Sequence, residues 1–105
     1  MGNIEWDKKG LLFTPDPEKW WMKTHTMTPT VINIKDNKFR IFFCGRDVKN
    51  RSQIGFFDVS VKNGVLQVGN VCDEPVLENG KLGCFDDNGV TPSCALKHED
   101  MIYLY

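Results

Sequence analysis

Gln53-Ile54-Gly55-Phe56-Phe57-Asp58-Val59-Ser60-Val61 runs through Lys62-Asn63-Gly64 and out again as Val65-Leu66-Gln67-Val68-Gly69-Asn70. Two runs rich in β-branched and aromatic residues, split by Asn-Gly, form the strongest short hairpin signal a chain carries. Both turn residues tolerate the positive φ that a tight two-residue turn requires. Working outward, Val31 to Lys35 pairs with Phe39 to Cys44 across Asp36-Asn37, where both residues again suit a tight turn. The expectation is four consecutive strands in an up-and-down meander. Nothing of helical period separates them, which argues against a βαβ fold.

Residues 1–25 read as a lead-in. Gly10-Leu11-Leu12-Phe13 is a short strand candidate, and Thr14-Pro15-Asp16-Pro17 is a breaker that starts one turn of helix through Trp20. The first unit covers 26–77, and 78–105 begins a second. Thr28-Pro29 leads into Val31-Ile32, and Thr91-Pro92 leads into Cys94-Ala95-Leu96. Pro29 and Pro92 stand 63 positions apart (92 − 29), and Phe39 to Phe43 and Met101 to Tyr105 occupy matching places. A meander that repeats at this period is the pattern of β-propeller blades. The fold class is therefore all-β, with about one and a half four-stranded antiparallel blades. The second unit stops inside an apolar strand at Tyr105. Two readings follow: the N-terminal portion of one longer propeller domain, or self-association through the open second blade.

The 105 residues suffice for one small domain. Thirteen basic and fourteen acidic residues leave a net charge of −1, and the basic excess that marks a nucleic-acid partner is missing. No apolar run approaches the roughly 20 residues of a membrane-spanning helix, and the first residues lack the apolar core of a signal peptide. Cys44, Cys72, Cys84 and Cys94 are too irregularly spaced for a zinc ribbon or a redox pair. Cys72, Cys84, Cys94 and His98 sharing a metal is the lesser reading; reduced, partly buried thiols in a cytoplasmic protein is the main one. No metal and no cofactor is expected.

Three segments carry a resemblance. They are Trp21-Met22-Lys23-Thr24-His25, then Arg46-Asp47 with Asn50-Arg51-Ser52-Gln53-Ile54-Gly55, then Leu82-Gly83, Phe85-Asp86-Asp87-Asn88-Gly89-Val90 and Pro92-Ser93. Together they resemble the opening third of five-bladed β-propeller glycoside hydrolases of the arabinanase, levansucrase and invertase superfamily, nearest to family 43-like proteins of bacterial polysaccharide clusters. The resemblance implies a complete protein roughly three times longer, with the first strand of each blade lining a central funnel. It also implies carboxylates from different blades around a sugar. This sequence departs from that pattern where Lys23-Thr24-His25-Thr26 replaces the first-blade carboxylate, and the proton-donating Glu of a later blade would lie beyond Tyr105. Only Asp86 and Asp87 match a place where the superfamily has a functional acid.

Glycosidic hydrolysis needs two carboxylates about 5–9.5 Å apart on opposite sides of the scissile bond. Asp86 and Asp87 are neighbours and diverge in an extended chain. One is expected to face the funnel, and the other to cap the turn through the backbone of Asn88 or Gly89. The plainer alternative is a turn-stabilising Asp-Asp-Asn-Gly with no chemistry. His25, Arg46, Asp47 and Trp21 are the candidate sugar contacts: a near-neutral imidazole, a charge pair in a loop that reaches the funnel, and a stacking ring. For each there is a structural alternative: a hydrogen-bonded His, a turn-fixing ion pair, and a lid over the first sheet. Of Trp20 and Trp21, one packs inward and the other is exposed. Phe42, Phe43, Phe56 and Phe57 are core. The function expected is a glycoside hydrolase-like protein acting on or recognising a carbohydrate, with a non-catalytic binding or scaffold propeller, or an inactive truncated product, as the alternatives. The isolated chain is expected to hydrolyse nothing, because a funnel requires all its blades.

Overall fold

A computed structural model of the chain describes residues 2–105. Six strands and no helix occur among them: β1 (Thr24–Lys35), β2 (Lys38–Arg46), β3 (Ser52–Lys62), β4 (Val65–Val71), β5 (Ala95–His98) and β6 (Met101–Leu104). Strands β1 to β4 form one antiparallel meander in chain order, and β5–β6 form a separate hairpin. None of the described residues forms a helix long and apolar enough to cross a membrane.

Turn chemistry sets the register. Asn63 and Gly64 both take positive φ (52° and 77°), so β3 and β4 close through the two-residue turn that matches strand twist. Asp36 also has positive φ (50°), and the Asn33 amide ties that turn by donating to the carbonyls of Asp36 and Lys38. From there β2 and β3 pair without interruption from Lys38↔Ser60 to Arg46↔Ser52.

Alternation along β2 and β3 makes both faces of this sheet apolar. Phe43, Phe57 and Val59 point to one face and pack with Trp21 and Met22; Ile32, Phe42 and Ile54 point to the other. An antiparallel sheet more often leaves one face wet. Here the first face is covered by the lead-in and the second by Val90, Ala95 and Leu104 of the second unit. Close approach on the first face depends on Gly55. A methyl group there would overlap Cη2 of the Trp21 indole, which lies flat over that position.

The lead-in differs from expectation. Residues 10–13 form no strand. Phe13 instead stacks on Phe57 with centroids 4.4 Å apart and tilts against Phe43 at 5.3 Å, so this segment contributes apolar area rather than ladder bonds. Residues 17–21 make successive turns rather than a helix. Bonds from Lys19 N–H to Asp16 O and from Met22 N–H to Lys19 O close them three residues at a time. The second unit contributes the two strands β5 and β6, and residues 79–88 turn back on themselves before them.

Candidate functional site

Strand β1 enters the sheet irregularly. Its pairing with β2 shifts between Thr24 and Met27 and again between Met27 and Thr30. His25 (φ 63°) and Thr28 (φ 51°) take the left-handed conformation in these bulges. For β-branched Thr28 that conformation is a true outlier, of the kind bulges use to re-aim side chains. Its hydroxyl donates to Met27 O and meets the Cys44 thiol at 3.3 Å. Thr91, from the second Thr-Pro unit, reaches the same sulfur at 3.8 Å. The two Thr-Pro segments thus converge on Cys44, which is fully buried.

Beside this entry lies a connected polar network. Asp47 is only 6% exposed. Its Oδ1 accepts the backbone N–H groups of Lys49 and Arg51, and its Oδ2 accepts Arg51 Nε (2.9 Å) and Gln53 Nε2 (3.3 Å). Burial pushes its carboxyl upward, but the bonds from Arg51 and Lys49 outweigh that and hold the pKa below its ordinary value. Gln53, with no exposed surface, continues the chain: its Nε2 donates to Asn79 Oδ1 at 2.6 Å, and its Oε1 accepts Asn79 N–H at 2.7 Å. Asn79 in turn donates to the carbonyls of Gly80 and Asp87. Every buried polar side-chain atom among the described residues has a partner.

The two aspartates take different jobs. Asp87 Oδ2 accepts Gly83 N–H at 2.8 Å and so caps the turn, at Gly83 rather than at Asn88 or Gly89. Asp86 is half-buried; its carbonyl accepts Gly80 N–H and Gly89 N–H, and its carboxylate lies so close to Gly80 that a methyl there would overlap Oδ1. Asp86 lines a cavity of about 380 Å³ with Ile54, Val90, Thr91, Leu104 and Tyr105, between the first sheet and the second unit. Its lining is mostly apolar, with Asp86, Thr91 and Tyr105 as the residues that bear polar side chains.

The other candidates scatter. Asp47 pairs with Arg51 rather than Arg46, whose Nη1 donates instead to Asn50 Oδ1 at 3.0 Å. His25 is exposed and its Nδ1 lies 2.8 Å from Thr24 Oγ1. Trp21 has no exposed surface: its Nε1 donates to Asp73 O, and its ring packs against Gly55 and Phe43. A stacking role for Trp21 has no open ring face here, and its exposed neighbour Trp20 donates to Glu74. All four cysteines are free thiols, with Cys84 and Cys94 exposed. Among the described residues no group of three His, Cys, Asp or Glu is placed to hold a metal. Gln53 and Asn79 were not singled out in the sequence, although a glutamine opening an apolar strand between Arg51 and Ile54 is the signal that marks the first of them.

Two uncharacterized proteins of Mycobacterium tuberculosis, from strains CDC 1551 / Oshkosh and ATCC 25618 / H37Rv, are similar to this chain. Each is 37% identical over 104 residues, covering 97% of this chain and 34% of the relative. The chain spans about a third of the length of the curated relatives it matches. No protein-family profile matches the chain, and no solved structure does.

Proposed function

We propose that this chain forms one wall of a carbohydrate-facing β-propeller of the glycoside hydrolase type, and that on its own it recognises sugar rather than cleaving it. The observation that carries the reading is the cavity at Asp86. It gathers Asp86, Thr91 and Tyr105, whose side chains are of the kind that bond sugar hydroxyls, among apolar residues of the kind that suit the C–H face of a pyranose. The sheet supports the propeller part of the reading. A four-stranded antiparallel meander with two apolar faces, one of them under the following unit, is built to be sandwiched between neighbours. The length of the mycobacterial relatives agrees with further blades, since roughly 60 residues per blade makes five blades about three times this chain.

Recognition is favoured over hydrolysis because, among the described residues, Asp86 is the one Asp or Glu that lines this cavity, while Asp87 is engaged by Gly83 N–H and Asp47 by Arg51. A general acid and base facing each other are not assembled by these residues. The test is thermal unfolding of the chain and of Asp86→Asn against a panel of oligosaccharides, with aryl glycosides assayed in parallel. The reading predicts dose-dependent stabilisation by at least one sugar, its loss in Asp86→Asn, and no turnover. Turnover by the purified chain, or no stabilisation by any sugar, would overturn it.

A further inference from the structure

Asn-Gly occurs three times, at Asn63-Gly64, Asn79-Gly80 and Asn88-Gly89. In such a pair the backbone nitrogen of the glycine can attack the side-chain carbonyl carbon of the asparagine, because no Cβ on the second residue stands in the way. Every other Asn of the chain is followed by Ile, Lys, Arg or Val, whose side chain crowds that approach. The three pairs start alike in sequence, and the fold separates them.

Asn79 is held at both ends of the reaction. Its Oδ1 accepts Gln53 Nε2 at 2.6 Å, and its Nδ2 donates to the carbonyls of Gly80 and Asp87. The nitrogen that would attack, Gly80 N–H, donates to Asp86 O at 3.1 Å. Asn88 is exposed, but Gly89 N–H donates to Asp86 O at 3.2 Å. Gly89 is also bridged to Ser52, whose hydroxyl fills the place a Cβ would take. Asn63 and Gly64 differ. Both are exposed at the tip of the β3–β4 hairpin, with open space around Gly64. Among the described residues no backbone carbonyl accepts the Gly64 N–H. The tip is closed by the Lys62↔Val65 pair behind it, so bringing Asn63 Cγ onto Gly64 N disturbs two turn residues and no buried group.

From this contrast we infer that Asn63 is a site of spontaneous deamidation in the folded chain. Gly64 N loses its proton to solvent base and bonds to Asn63 Cγ. The Cγ–Nδ2 bond breaks, and Nδ2 leaves as ammonia with a proton taken from water. Water then opens the five-membered ring. Breaking the Cγ–N bond leaves aspartate at 63. Breaking the bond between the backbone carbonyl carbon of 63 and Gly64 N leaves an isoaspartyl link, with the main chain routed through Cβ and Cγ. Water is the only reactant consumed, and nothing is oxidised or reduced. Asp-Gly suits the same two-residue turn, so the aspartate product keeps the hairpin. The isoaspartyl product adds a methylene carbon to that turn and breaks its match to the β3–β4 register. This site is independent of the sugar cavity and stands whether or not the cavity binds carbohydrate.

The test incubates the 105-residue chain at mildly alkaline pH, folded and in concentrated urea, and follows the initial rates at the three sites by peptide mass mapping. Chromatography separates the aspartyl and isoaspartyl forms, and far-ultraviolet circular dichroism checks that the chain without urea stays folded. In the folded chain Asn63 should convert first, with Asn88 slower by about fivefold, the opening penalty of one backbone hydrogen bond, and Asn79 slower again. In urea the three rates should converge, and the rate at Asn63 should rise with pH because the deprotonated amide is the attacking group. Asn63→Asp should remove the leading release of ammonia. Asn79 or Asn88 converting as fast as Asn63 in the folded chain would overturn the inference, as would no conversion at Asn63 or the same lead for Asn63 in urea.

Discussion

Gly55→Ala is the sharpest test of how the first sheet is packed. Gly55 sits in β3 opposite Phe43, directly beneath the Trp21 indole. A methyl group there overlaps Cη2 and lies 2.7 Å from both Cζ2 and Cζ3. The ring has little room to retreat. Its Nε1 donates to Asp73 O at 3.0 Å, and its centroid lies 5.4 Å from that of Phe43. Overpacking a core site by one methyl costs about 1–3 kcal/mol, and losing the indole hydrogen bond adds about 1, for a total of about 2–4 kcal/mol. For a chain of this size that is a fall of about 10–20 °C in Tm. Urea unfolding followed by tryptophan fluorescence measures it. Trp21→Phe removes the overhanging part of the indole, so in that background Gly55→Ala should cost less than ~1 kcal/mol. A cost within ~0.5 kcal/mol of zero in the wild-type background, or the same cost in both, would refute the packing argument.

Gln53→Leu deprives Asn79 of two buried partners and should destabilise by about 2–4 kcal/mol. Hydrogen exchange should speed up at Gly80, Gly83 and Gly89; unchanged protection there would separate Gln53 from the acidic turn. Asp47 has a folded pKa held below its unfolded one. Its stabilisation is therefore complete above the unfolded value of about 3.9 and is lost as pH falls through the folded value. Asp47→Asn should lower stability at neutral pH and flatten the acid side of the stability profile, whereas parallel profiles for the two proteins would contradict this. Thiol labelling of the native chain should modify Cys84 and Cys94 quickly. Cys44, which is fully buried, and Cys72, whose thiol burial pushes up, should label only slowly; four equally fast thiols would contradict the burial pattern.

Local signals account for most of what was legible in the sequence. Asn63-Gly64 and Asp36-Asn37 act within a few residues, through backbone conformations those side chains tolerate, and so they place the four-stranded meander directly. The lead-in was less legible because Leu12 and Phe13 are apolar whether they pair as a strand or pack as side chains, and only the open space over Phe43 and Phe57 decides between these. For the site, the divergence of Asp86 and Asp87 follows from their adjacency, but the capped residue does not. Gly83 is reached because the 79–88 segment folds back, which depends on Asn79 and Gln53, 26 residues apart. Trp21 illustrates the same limit. Two adjacent tryptophans say that one is buried, and the glycine that receives it lies 34 positions away (55 − 21).

The central claim is that the Asp86 cavity faces a sugar. Backbone NMR shifts of the chain, titrated with an oligosaccharide panel, test it most directly. The account predicts saturable shifts at Asp86, Val90, Thr91 and Tyr105 for at least one sugar, abolished in Asp86→Asn. Shifts confined to the apolar pocket beneath Leu12 and Phe13, or none with any sugar, would contradict it.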